Sequence, residues 1–134
     1  MLAHRLSLWL PVVIWAGLIF AFSSIPSLGT GLGTWDLVLR KIAHAAEFAI
    51  LTLLLWRALR RERLVFVLAS GYAATDELHQ SFVEGRVGSV ADWAIDTAGV
   101  IFALAGVRLW RRHQRDDVPD NGSPALDDAP GETP

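Results

Sequence analysis

Residues 41–59 read KIAHAAEFAILTLLLWRAL, and this stretch holds the two features that decide the fold. From Phe48 to Trp56 the only polar residue is Thr52. Ahead of that run stand Lys41, His44 and Glu47 at i, i+3 and i+6, near one face of a helix. Counted from residue 37, the stretch is long enough to cross a bilayer core, which takes about 20 mostly apolar residues. It predicts a membrane helix with ionisable groups at one end.

Three more stretches fit the same description: residues 6–22, 64–82 and 90–110. Strands are a poor alternative, because open sheet edges stay unsatisfied in lipid and four strands cannot close a barrel. Arg5 ahead of the first stretch, with Ala21 and Ser23 near its end, also fits a signal peptide. The apolar run is longer than a typical signal core, so a helix that stays in the membrane is preferred. Pro11 is tolerable near the start of such a helix. Residues 25–33 hold Pro26, Gly29, Gly31 and Gly33 and read as a loop. Residues 60–63 read as a charged hairpin, and residues 83–89 as a second glycine-containing loop. No internal repeat is present.

Composition agrees. Hydrophobic residues make up 52% and mean hydropathy is +0.36, high for a soluble domain. Residues 1–115 carry a net +4, whereas residues 116–134 carry six acidic groups and no basic one. The chain therefore divides into a four-helix membrane domain, 1–115, and an acidic tail, 116–134, predicted to be disordered. There is no cysteine, which excludes disulfides, thiolate metal sites and a cysteine nucleophile.

Orientation follows from the basic residues. With four crossings, Arg5, Arg57, Arg60, Arg61, Arg63, Arg108, Arg111, Arg112 and Arg115 fall on one side, and Arg40, Lys41 and Arg86 on the other. The nine-residue side is expected to be cytoplasmic, with both termini inside. Trp9, Trp56 and Trp110 fall at the inner border and Trp35 and Trp93 at the outer one, as an aromatic belt predicts. Trp15 reads as packing. Short connections predict antiparallel neighbours. Ala45 and Ala49, Ala69 and Ala73, and Gly99 and Ala103 are i, i+4 pairs of small residues that let helices approach closely.

Ionisable residues inside a span are costly and mark functional sites by default. On the third stretch Asp76, Glu77, His79 and Gln80 crowd the last two turns, with Asp76 and Gln80 at i, i+4. On the fourth, Asp92 and Asp96 are again i, i+4. Asp76 and Asp96 each lie roughly 9 Å below the outer ends of their spans and Glu47 roughly 15 Å below. Three segments thus bring acids to a similar level, and the inner halves hold none. The plainer reading is hydrogen-bonding glue between helices. Such bonds average only about 0.6 kcal/mol each, a weak reason to hold five carboxylates in lipid. A polar pocket open to the outer side is preferred. His79 sits near enough to the border to be an interfacial residue instead.

These residues also form a pattern. Lys41-x-x-His44-x-x-Glu47-Phe48, Asp76-Glu77-x-x-Gln80-x-Phe82, Gly85-Arg86 and Asp92 with Gly99, together with Phe22-Ser23-Ser24-x-Pro26, resemble the VanZ-like family, named for a teicoplanin-resistance protein of bacteria. The resemblance covers about residues 6–110. It implies a multi-pass protein of the bacterial inner membrane and cell envelope, and a link to glycopeptide resistance. It supplies no reaction. Two departures stand out: Glu84 where the family usually has proline, and Asp96 where it often has asparagine, which adds a carboxylate to the cluster.

Like charges crowded in a low dielectric cannot all stay ionised, so the cluster is suited to acid–base work. The catalytic set would be His44, Glu47, Asp76, Glu77 and Asp96, with Glu47 or Asp76 as base and His44 as proton relay. Lys41, Gln80, Arg86 and Asp92 would bind ligand, Arg86 anchoring a phosphate or carboxylate. Three functions remain open: a binder of a lipid-linked or glycopeptide-like molecule, a membrane-embedded hydrolase or transferase on a lipid-linked wall precursor, and a small ion or proton-coupled carrier. The carrier is least favoured, since the inner half lacks ionisable groups. No cofactor is implied. A divalent metal at His44 and Glu47 is the lesser alternative, without a strong ligand motif. Ser23 and Ser24 have no evident base, and no Gly-x-Ser-x-Gly elbow exists. Nucleic acid is not expected, because the arginine clusters flank spans and meet lipid heads. No motif sets an oligomeric state.

Overall fold

The computed structural model describes residues 2–26, 34–86 and 88–116. The expected tail at 117–134 and most of the first loop lie outside these. All four expected helices are present: α1, Leu2–Ser23; α2, Thr34–Leu59; α3, Glu62–Gln80; and α4, Val90–Asp116. The described residues contain no strand. Three helices include stretches long and apolar enough to cross a membrane, Ala3–Ser23, Val38–Leu59 and Val90–Asp116. The last runs six residues beyond the expected apolar border and carries Arg111, Arg112 and Arg115 on helix.

Cross-helix contacts fix the directions. Trp15 donates to the Glu47 carbonyl at 2.9 Å and Arg57 to the Ser7 carbonyl at 3.1 Å, so α1 and α2 are antiparallel. Ser70 meets Thr97 at 3.1 Å and Glu62 meets Arg108 at 2.6 Å, so α3 and α4 are antiparallel. Lys41 meets Asp92 and His44 faces Asp96, so α2 and α4 are parallel. The chain runs up, down, up, down. Because α2 and α4 point the same way, α3 must carry the chain back over their shared length. Its 19 residues span roughly 28 Å as helix. Glu62 and Arg63 at one end and Asp76 and Glu77 at the other lower its apolarity.

Those charges reveal an inverted polarity. On α3, Leu64, Phe66, Val67, Leu68 and Leu78 face outward, whereas Asp76, Glu77 and Gln80 are buried. Outward Val13, Phe102 and Leu109, 65%, 82% and 65% exposed, continue the apolar surface on α1 and α4. A soluble monomer does not carry so much contiguous apolar surface, so lipid is the environment this exterior fits.

The helix pair α2 and α4 is the most extensive contact, and α2 also packs on α1 and α3. Gly99 is the reason for the close approach. A Cβ there would fall inside the Ala45 carbonyl. Ala69, Ala73 and Ala103 are buried at the same kind of interface, as their spacing predicts. Pro11 removes the helical bond to the Ser7 carbonyl, and Arg57 supplies the missing donor at that oxygen. Two tryptophans leave the expected belt. Trp93 is partly buried and donates to the Ser70 carbonyl at 3.1 Å, and Trp56 is 7% exposed. Trp9 and Trp110 remain outward-facing.

The α2–α3 turn is two residues long. Arg60 sits at φ 55° directly after α2, with its N–H on the Trp56 carbonyl at 3.0 Å. Glycine is the usual residue there, and an L side chain costs about 1 kcal/mol.

Candidate functional site

Helix register carries the polar residues to one end. His44 is the centre of the group. Its Nδ1 lies 3.9 Å from Glu47 Oε2, one turn along α2, and 3.9 Å from Asp96 Oδ1 on α4. Both distances are too long for a hydrogen bond, so the imidazole is bracketed by two carboxylates without closing on either. Asp96 is 1% exposed and Asp76 3%. Gln80 donates to Asp76 Oδ2 at 2.8 Å, the i, i+4 pairing anticipated from the sequence. Asp76 is close enough to His44 to act on its charge electrostatically.

Lys41 and Asp92 form an ion pair one helical turn further out, each about one-third exposed. The pair caps the cluster on the solvent side. Glu77 has a different attachment. Its carboxylate accepts the Ser89 N–H at 2.8 Å, and the Ser89 hydroxyl accepts the Asp92 N–H at 3.0 Å as the N-cap of α4. Glu77 therefore ties the α3–α4 loop to the end of α3. That loop turns at Gly85, φ 75°, and delivers Arg86.

Arg86 is half-buried and reaches the Phe22 carbonyl at 3.4 Å. Burial and then neighbouring Arg40 lower its pKa from the ordinary arginine value, while Asp76, Glu47 and Glu77 oppose them. A guanidinium stays charged under such shifts. It is thus a fixed cation facing three carboxylates from two helices.

The buried polar atoms His44 Nδ1, Glu47 Oε2, Asp76 Oδ1, Arg86 Nε, Asp96 Oδ2 and Ser23 Oγ have no hydrogen-bond partner among the described residues. Buried polar groups are normally paired, and lone ones cost about 1–3 kcal/mol each. They gather at one end of the bundle. No set of three or more His, Asp or Glu side chains among the described residues is arranged to hold a metal ion.

Some participants were not singled out from the sequence. Trp15 holds the Glu47 backbone, and Tyr72, one turn before Asp76, donates to the Ala16 carbonyl at 2.7 Å. The i, i+4 spacing of Tyr72 and Asp76 was an available signal; the reach of Trp15 was not. Ser23 is fully buried. His79, expected near the border, stacks on Phe20 at 4.2 Å and meets Ser24 Oγ at 3.0 Å. Ser24 thus has a histidine beside it after all. Its hydroxyl also donates to the Phe20 carbonyl at 2.7 Å, an arrangement in which the His79 Nε2–H donates to Ser24.

An all-helical bundle with apolar exterior, three helices fit to cross a membrane, and carboxylates turned inward defines a membrane protein with a polar end. The chain belongs to the VanZ/LLP1 family, whose model matches residues 8–111. No curated protein and no solved structure matches it.

Proposed function

We propose that this protein is a multi-pass protein of the bacterial inner membrane, with both termini in the cytoplasm, whose outer end binds a lipid-linked or glycopeptide-like molecule. The observation that carries the reading is the set of unpaired buried polar atoms from α2, α3, α4 and the α3–α4 loop. Glu47, Asp76 and Asp96 offer acceptors, which call for ligand N–H, O–H or ammonium groups. Arg86 offers a cation for a phosphate or carboxylate. Peptide- and sugar-bearing envelope molecules combine both. Gln80 orients Asp76, Glu77 holds the loop that carries Arg86, and Lys41 with Asp92 forms the rim. A link to glycopeptide resistance is part of this proposal.

The orientation rests on the excess of arginine at the opposite end. Since the chain has no cysteine, single cysteines report sidedness cleanly. Glu84→Cys should label from outside with an impermeant thiol reagent, and Arg63→Cys only after permeabilisation. The reverse pattern would move the site to the cytoplasmic face.

A second reading has its own support. His44 between Glu47 and Asp96 is a base–relay arrangement for a hydrolase or transferase. One experiment separates the two. The full chain in lipid nanodiscs is incubated with a lipid-linked wall precursor, and both complex and product are measured. A complex without product supports the binder, and product supports the enzyme. In either case Glu47→Gln and Asp76→Asn should abolish the signal while the protein stays folded. If neither complex nor product forms, the wall-precursor assignment fails. The carrier reading is not carried forward, because Leu51, Leu55, Val65, Leu104 and Val107 fill the core toward the other end.

A further inference from the structure

The arginine-rich end holds a second feature that the outer cluster does not use. A cavity of about 750 Å³ lies between the α2–α3 turn and the last turns of α4. Arg60 and Arg61 reach it from the turn, Arg63 from the first turn of α3, and Arg108 and Arg111 from α4, with Glu62 as the acid in its lining. An arginine excess spread over a membrane border would be ordinary positive-inside charge. Here the side chains are organised. Arg60 and Arg111 stand over the Trp56 ring at 5.9 and 5.5 Å. Glu62 pairs with Arg108 at 2.6 Å and Arg111 at 3.6 Å, holding two guanidinium groups from α4 against the turn. Arg60 does this from a left-handed backbone position, φ 55°, where glycine would fit without strain.

We infer that this cavity is a binding site for the phosphate headgroup of an anionic lipid in the adjacent leaflet, best suited to a headgroup with two phosphates. Guanidinium forks match phosphate oxygens in a planar, bidentate geometry that lysine would not give. The cavity is larger than one phosphate needs, and its cations approach from two sides. Outward Trp110, 57% exposed, and Leu109, 65% exposed, lie on the same helix, where acyl chains would run.

The test uses full-length protein in neutral detergent, titrated with cardiolipin and followed by native mass spectrometry, alongside thermal melts. Cardiolipin should be retained and phosphatidylcholine should not. Arg111→Gln should weaken retention about fivefold, the worth of one arginine at a lipid surface. Arg60→Gly should weaken it similarly while raising the melting temperature, because it relieves backbone strain. Glu62→Gln should weaken retention by releasing Arg108 and Arg111 from the position in which it holds them. Arg5→Gln, outside the cavity, should change nothing. Equal losses from Arg5→Gln and Arg111→Gln would reduce the effect to diffuse charge and overturn the site. So would Arg60→Gly with unchanged retention. Displacement of cardiolipin by pyrophosphate at equal concentration would assign the cavity to a soluble phosphate and overturn the lipid assignment.

Discussion

The two ends of this bundle handle charge in opposite ways. At the carboxylate end, Asp76, Glu77 and Asp96 point inward and are nearly inaccessible, and Asp76 Oδ1 and Asp96 Oδ2 lack partners. At the arginine-rich end, Arg108 and Arg111 point outward, 61% and 45% exposed, and share the Glu62 carboxylate. The second arrangement follows from border electrostatics and costs the fold little. The first opposes stability, since unpaired polar groups in a low dielectric are among the most expensive things a fold can hold. That cost, gathered at one end on three helices, is what the proposed ligand site rests on. Between the two ends lies a core with no ionisable side chain among the buried residues, so apolar packing separates the two charged regions.

Substitutions can break or sharpen this contrast. The largest effect is expected where both ends depend on one contact. Gly99→Val drives a branched side chain into the Ala45 carbonyl and should cost about 3 kcal/mol in a thermal or denaturant melt, disordering the outer cluster with it. Next, Asp76→Asn should abolish ligand capture yet raise stability by about 1 kcal/mol, as expected where a buried carboxylate serves function at the expense of folding. Loss of both together would return the cluster to the glue reading. Gly106→Ala is smaller: nothing lies within 4 Å of its missing side chain, and the substitution should stabilise α4 by about 0.5 kcal/mol. The smallest change belongs to the rim. Lys41→Met removes a pair whose partners are each about one-third exposed and should shift stability by less than about 0.5 kcal/mol, with a small drop in ligand affinity.

Much of this was legible in advance because lipid imposes strong rules. Length and apolarity located four helices within a few residues, and the basic residues sorted themselves to one end before any contact was known. Spacing on single helices also predicted well: the Asp76–Gln80 bond and the burial of Ala69 and Ala73 are properties of one helix face. Relations across helices were harder. Antiparallel neighbours were expected from short loops, but the largest contact joins α2 to α4, which are not consecutive and run parallel. Glu77 was grouped with the other acids, and only the fold turns it to the Ser89 N–H. Trp56 and Trp93 carried the signal of a membrane belt, yet both found partners within the bundle.

The sequence by itself determined the helices, their inside-out polarity and the end at which each kind of charge collects, because helical period and bilayer thickness act on every residue locally. Only the tertiary structure decided which acids face His44, which one holds a loop, and that five arginines line one open cavity. Those outcomes depend on rotation and register between helices, set by close contacts such as Gly99 on Ala45, and no single segment encodes them.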